Sequence, residues 1–452
     1  MSNREFVFEP RLFITGPFGP CPQCDQPEFG SLSISNNFHQ RRCRNCWYTA
    51  GVQLPPLQKR LIYLDQMLLS NVAKELDPVW KAKTKRSDPY WLEVFDQLDR
   101  LVKLQIVVCP ESPIHEEESA YDDRFEGVLR RLYTHLASGV SLDFPMAIHI
   151  RQIWEAVHAM EEGRQPDWSR ITPSDVIDGG LEQWSERLLL TVNMGHWLSL
   201  ADRRASRSRG HAALLAVWER WKAENGLTFE VQFERERRAV AEVAIDSFLR
   251  HLDLVNRLNT GTETLSDPLS LIPGQLAALT LQLIKELEKP GDTFDERVRR
   301  VAAVLLSEPV MQAPKNHLAA LLFAGLARSA VSGKKKPPSQ GTPNDVDAIS
   351  AYLPYCDAMF IDDEFAQILG NGPINREIAR YPTRIFSTRT RDDFLTYLRQ
   401  MEADVPPQHV ELVTQTYGED WVTPFRSILE HEREKEERRR DSTATAAETP
   451  PH

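Results

Sequence analysis

Three stretches of the chain carry apolar residues in short unbroken runs: Leu61–Leu64, Gln105–Cys109 and Ala358–Ile361. Runs of this length without alternation mark strands buried on both faces, as in a parallel sheet covered by helices. Arg384–Ser387 predicts a fourth, short strand. Between them the period changes to that of helices. Gln66–Leu76 predicts one, and Asp88-Pro89 opens another whose apolar positions are Trp91, Leu92, Phe95, Leu98 and Val102. Residues from about 120 to 335 predict helix after helix, including Ile150–Glu162, Glu182–Val192, Ala212–Glu224, Arg235–Leu258 and Pro273–Glu288. Thr390–Met401 predicts a last one. The expected fold class is therefore α/β, a parallel sheet flanked by helices and interrupted by a large all-α block.

Acidic residues punctuate this pattern at the strand ends. Asp65 closes the first run and Asp362 and Asp363 close the third. After the second run, Ser112-Pro113 starts a helix carrying Glu116, Glu117 and Glu118, three directions 100° apart, so one or two of them face any common site. Asn344–Asp347 places Asp345 and Asp347 where another helix begins. The carboxyl ends of parallel strands are where open α/β sheets bind their ligands. Carboxylates converging there would form a cradle for a hard divalent cation.

The first 56 residues read differently. Cys21-Pro-Gln-Cys24 and Cys43-Arg-Asn-Cys46 are two matched knuckles separated by eighteen residues. That spacing is a zinc ribbon's, with four thiolates closing a tetrahedral Zn²⁺ site and leaving no open position, so the ion would be structural. Cys109 and Cys356 sit in apolar strand contexts and read as inert core thiols. Around the second knuckle, His39–Tyr48 mixes basic residues with Trp47 and Tyr48, a composition able to touch phosphate and stack on a base.

Composition narrows the partners. The net charge of −11 over 452 residues argues against a nucleic-acid coat, yet residues 1–60 carry seven Lys/Arg against four Asp/Glu. Arg203–Arg209 and Lys334–Lys336 are the other basic runs, and the first could track a phosphate backbone. No apolar run approaches a membrane span, and the N-terminus has no secretory pattern, so a cytoplasmic location and no membrane partner are expected. Gly-rich phosphate loops, G-x-S-x-G and H-E-x-x-H are absent from the sequence.

In LIYLDQMLLSNV, VVCPESPIHEEES and NDVDAISAYLPYCDAMFIDDEF the chain resembles the PIN-domain nucleases. The resemblance covers roughly residues 58–125 and 340–405, and the helical block between them departs from it. It implies a PIN-like sheet and four acidic residues, Asp65, Glu118, Asp347 and Asp362, holding Mg²⁺ or Mn²⁺. Glu118 is selected by its distance from Ser112. Asp347 opens a family-like D-A-x-x-A, whereas the distance to the next strand suits Asp345, which is kept as a co-ligand; Asp363 competes with Asp362. The implied activity is metal-dependent endonucleolytic hydrolysis of RNA, possibly of single-stranded DNA. The alternative is a zinc ribbon on a degenerate scaffold that binds nucleic acid or protein without cutting. The expected organisation is a ribbon over 1–56, a PIN-like first half over 57–125, a helical insertion over 126–335, a second half over 336–430 and a disordered tail over 431–452.

Overall fold

The computed structural model describes residues 9–435 apart from 86, 120–123, 187–199, 263, 265–270, 432 and 433. The described residues contain ten strands. Four form an antiparallel sheet in chain order: β1 (Thr15–Gly19), β2 (Phe29–Ser35), β3 (Phe38–Cys43) and β4 (Thr49–Gln53). Four more, β5 (Arg60–Leu64), β6 (Val107–Val108), β9 (Ala358–Phe360) and β10 (Arg384–Phe386), make a parallel sheet in the order β10-β9-β5-β6. The remaining two, β7 (Ser141–Leu142) and β8 (Ile177–Asp178), pair with each other inside the block predicted to be helical.

The parallel sheet is covered on both faces, which is why its strands read as unbroken apolar runs. Leu61, Tyr63, Met359 and Ile361 point into one core with Leu318, Leu322 and Leu326 of the Pro314–Val331 helix and Ile349 and Tyr352 of the Thr342–Tyr352 helix. Ile62, Leu64, Ala358 and Phe360 point into the other, against the Gln66–Leu76, Tyr90–Lys103, Glu126–Ala137 and Arg391–Ala403 helices. Phe360 is fully buried, so truncation to alanine should cost about 3–5 kcal/mol. Helices within 126–335, among them Glu126–Ala137 and Pro314–Val331, thus belong to the sheet's own cores.

The Leu200–Ala223 helix joins the first of these cores through Leu214, Trp218 and Trp221, and part of the block has a core of its own. Ile153, Ala244, Phe248, Leu283, Val301 and Leu305 hold together the Pro145–Glu161, Phe229–Asn259, Gln275–Glu286 and Phe294–Leu305 helices.

Two expected elements are shorter than predicted. The second strand is only Val107–Val108, because Gln105 takes a left-handed φ of 62° and its N–H caps back to Val102 O. Within the predicted Glu182–Val192 helix, residues 182–186 run as a loop and 187–192 lie outside the described residues. That loop fastens the ribbon to the sheet: Leu57 N–H donates to Glu182 O, and the Trp184 indole donates to Pro55 O at 2.8 Å. Nearly all of the expected 431–452 tail also lies outside the described residues.

Candidate active site

Four cysteine sulfurs, of Cys21, Cys24, Cys43 and Cys46, lie within 4.8 Å of one another, and none is in a disulfide. The Cys21–Cys46 and Cys24–Cys43 separations are 3.5 and 3.7 Å. Sulfurs about 2.3 Å from a central ion in a tetrahedron stand roughly 3.8 Å apart, so the arrangement can bind a metal such as zinc. Backbone N–H groups of Gln23 and Asn45 turn toward Cys21 and Cys43 Sγ. The Gln26 N–H, then the Asn45 amide, holds the Cys24 thiol down at about 6, while, against the Tyr48 N–H, burial and the neighbouring sulfurs push the Cys46 thiol up. The basic residues nearby are committed to the ribbon. Arg41 donates to Pro17 O and Phe29 O, Arg44 to Ile14 O, and Arg42 lies over Trp47 with its guanidinium carbon 4.7 Å from the ring centroid.

The second constellation is built on the parallel sheet. From β5 the chain moves outward to β6, while β9 and β10 build on β5's other side. The β5/β9 boundary is therefore a topological switch point, and the crevice beyond the carboxyl ends of these strands is where such a sheet takes a ligand. Asp65 leaves β5 there and Asp362 leaves β9. The Asp65 N–H donates to Phe360 O at 2.8 Å, stitching the two exits together. Each aspartate caps the following helix: Asp65 Oδ1 accepts from Met67 N at 3.3 Å, and Asp362 Oδ1 from Phe365 N at 2.7 Å. Capping occupies one oxygen and fixes the rotamer, leaving the other free to face the crevice.

Asp65, Asp345 and Asp362 line one small cavity with Tyr63, Ala348 and Ile361. Its volume is about 10 Å³, the space of a single water-sized sphere. Glu118 closes the group from the Pro113–Ser119 helix. A Cβ placed on Gly341 would sit 3.8 Å from Asp345 Oδ2 and 4.0 Å from Glu118 Oε1, so both carboxylates converge on that loop. Electrostatics report the same convergence. Burial first, then the Glu118 charge, pushes the Asp65 carboxyl up to about 7. Burial followed by Asp65, Asp362 and Glu118 drives Asp345 well above the usual range, and burial raises Asp362 and Glu118 too. Like charges gathered in a low-dielectric crevice favour a proton or a cation.

Asp347 is not part of this group. It lies two residues, or about 200° of helical turn, beyond Asp345, is exposed, and its Oδ1 accepts from Lys315 Nζ at 2.8 Å. Asp345 takes the place the D-A-x-x-A pattern gave to Asp347. Asp363 likewise turns away, accepting from the Thr388 hydroxyl and the Arg389 N–H. Of the three glutamates, Glu116 is exposed and Glu117 faces a different cavity.

Several residues near the site were not assigned to it from sequence, although Arg207 and Lys334 fall in the basic runs noted above. Asn344 Nδ2 donates to Glu118 Oε1 at 3.0 Å. Arg207, on the Leu200–Ala223 helix, stands 3.8 Å from the same oxygen. His211, one turn on, meets Pro338 O at 3.0 Å, and Lys334 Nζ reaches Glu364 Oε1 at 2.7 Å. Behind the acids, His115 stacks between Tyr63 and Tyr133, with centroids 5.1 and 4.5 Å away. Burial pushes His115 down to about 3, so this floor is neutral. The i, i+4 spacing of Arg207 and His211 was a sequence signal for a shared helix face. Nothing in the sequence showed which face meets Glu118.

Among the described residues, no helix is long and apolar enough to cross a membrane. No protein-family model, no curated protein and no solved structure matches this chain.

Proposed function

We propose that the chain is a metal-dependent phosphodiesterase of PIN-like organisation, acting as an endonuclease on RNA or other single-stranded nucleic acid. One observation carries the reading: three aspartates, delivered from the ends of two adjacent parallel strands and one helix start, line a cavity of water-molecule size at the switch point, with Glu118 beside Asp345 at the Gly341 loop.

The donor types suit a hard cation, although among the described residues no three of these carboxylates bring their oxygens within 4.8 Å of one another. The set is all oxygen, it is desolvated, and its carboxyls already hold protons above their ordinary range for want of a counter-charge. Asp65, Asp345 and Asp362 would hold Mg²⁺ or Mn²⁺, with Glu118 beside them. Bound there, a divalent cation supplies an activated water and charge stabilisation for the leaving oxygen. The protein's own contribution is placement. Helix caps lock Asp65 and Asp362, Asn344 orients Glu118, and Arg207 sets a fixed positive charge at the edge of the group, where a phosphate would approach. Zinc in the ribbon would be structural, held by a closed set of four thiolates.

The test is cleavage of end-labelled RNA and single-stranded DNA by the full chain with Mn²⁺ or Mg²⁺, beside Asp65→Asn and Asp345→Asn. Metal-dependent internal cuts lost in both variants support the reading. Absence of cutting, together with no carboxylate-dependent Mn²⁺ binding by calorimetry, overturns it in favour of a binding module.

A further inference from the structure

A cavity of about 240 Å³ is lined by the end of the Pro314–Val331 helix and by the junction of the Asp363–Gly370 and Gly372–Ile378 helices. Its floor is apolar and closely packed. A Cβ added to Gly325 would come within 2.6 Å of Ile368 and 3.0 Å of Ile374. Phe229, at the start of the Phe229–Asn259 helix, forms one wall and lies nearly parallel to Phe233, with ring centroids 6.2 Å apart.

The rim is polar, and most of it has no partner. Ser329 already donates to Gly325 O at 3.0 Å. Among the described residues, the side chains of Arg328, Ser332 and Asn371, which also line the cavity, make no hydrogen bond or ion pair within the chain. All three are donors. Arg328 reaches over Gly372, whose φ of +33° suits glycine, and a Cβ there would stand 3.8 Å from its Nη1. A last-turn arginine is stabilised by the helix dipole without an acidic neighbour. The dipole accounts for the cation, but not for two further donors on the same cavity. The surrounding sequence also keeps acids away: residues 316–344 hold Arg328, Lys334, Lys335 and Lys336 and no Asp or Glu, in a chain of net charge −11.

The Asp363–Gly370 helix connects this cavity to the carboxylate site. Its N-cap Asp362 and Phe365 line the carboxylate cavity, while Ile368 and the C-cap Asn371 line this one. From residue 362 to residue 371 is nine steps of about 1.5 Å, which sets the two caps about 13 Å apart.

We infer that this cavity is a second nucleic-acid subsite, taking a backbone phosphate of a single strand on Arg328, Ser332 and Asn371 and the attached base against Phe229. The planar guanidinium fork matches two phosphate oxygens, and the hydroxyl and amide supply neutral donors beside it. A phosphate and a base face are common to every nucleotide, so the subsite grips the strand without reading its sequence. Its place beside a cleaved strand rests on the nuclease reading; its recognition of phosphate does not.

The experiment uses the full chain without added divalent ions and a fluorescein-labelled oligouridylate, with affinity read by anisotropy at several salt concentrations. Arg328→Ala is expected to bind about tenfold more weakly, with a salt slope smaller by about 0.7, the loss of one phosphate contact on a single strand. Phe229→Leu should bind about fivefold more weakly with its slope unchanged. Arg376→Ala, which removes an exposed charge outside the cavity, should match wild type. If Arg328→Ala binds like wild type, or loses no more than Arg376→Ala, the subsite is overturned, and cutting with Mn²⁺ by the same chain leaves the nuclease reading standing. If binding depends on Arg328 yet nothing is cut, the subsite stands and the hydrolase reading falls. Calorimetry with inorganic phosphate and with uridine monophosphate separates the sources. Arg328-dependent binding of either, with no strand bound, keeps the phosphate site and overturns its assignment to a strand. No binding of any of the three overturns the inference.

Discussion

The ribbon and the parallel sheet each gather four ionisable side chains, but to opposite effect. The four sulfurs lie mutually within 4.8 Å, whereas among the described residues no three of Asp65, Glu118, Asp345 and Asp362 bring their oxygens that close together. A closed thiolate set satisfies an ion and leaves nothing for a reactant. A looser set of carboxylates, desolvated and mutually repelling, leaves room for water and substrate. Spacing is where the two sets differ: the sulfurs stand close enough to share one ion, and the carboxyl oxygens stand further apart.

The sharpest way to break this comparison is to remove the ribbon's ion. Cys43→Ser, or a strong chelator, should release about one zinc per chain and unfold residues 9–57, read by mass spectrometry and by hydrogen exchange. Structural zinc of this type contributes about 10–16 kcal/mol to folding, so the loss should be complete. A ribbon that stays protected after chelation would mean the thiols need no metal.

At the sheet the expected effect lies in rate. Asp345→Asn should lower metal-dependent cleavage by more than the about 10–100-fold typical of losing a ligand's hydrogen-bonding partner. Asp347→Asn should stay within about threefold in rate, while its melting temperature should fall, since the change takes the charged partner from the buried Lys315 ammonium. Equal losses in the two variants would restore Asp347 to the site.

The pH dependence follows from Asp65. Its carboxyl is protonated in both folded and unfolded chains at low pH. Between its ordinary 3.8 and about 7 the folded chain holds the extra proton, so this group's contribution to stability declines as pH rises through that window and is level above it. A cation binds the charged form. The gain in melting temperature on adding Mn²⁺ should therefore be larger at pH 8 than at pH 6, and Asp65→Asn should flatten the difference.

The smallest effect is expected at Arg207. Its partly buried pairing with Glu118 at 3.8 Å is a loose one, so Arg207→Ala should leave stability within about 1 kcal/mol. Oligonucleotide affinity should nonetheless weaken and lose some of its salt dependence, measured by titration at two ionic strengths. An unchanged salt slope would remove the Leu200–Ala223 helix from substrate binding.

What could be read from the sequence tracks locality. The knuckles Cys21–Cys24 and Cys43–Cys46 define their own geometry through spacing, and Leu61–Leu64 announces a two-sided burial in its composition. Asp65 and Asp362 were legible because strand ends and helix caps are local signals. Asp345 against Asp347 was not, because a choice of helix phase is made by Ala348 and Ile349 packing on the sheet core. Glu126–Ala137 and Pro314–Val331 were assigned to an insertion for a similar reason: amphipathic helices do not state which core they serve. Arg207 and Asn344 acquire meaning only through a partner more than 85 residues distant, Glu118.

The pairing of β5 with β9 has a consequence for how the chain is made. Leu61 N–H donates to the Asp357 carboxylate, 296 residues further on. At about 5–20 residues per second, a ribosome needs roughly 15–60 s to travel that distance. For that interval β5 has only the two residues of β6 beside it, and its other edge is open to pairing with foreign strands. Nascent chains should therefore call on chaperones that shield strand edges. The acids at the ends of β5 and β9 cannot meet before residue 362 has left the tunnel.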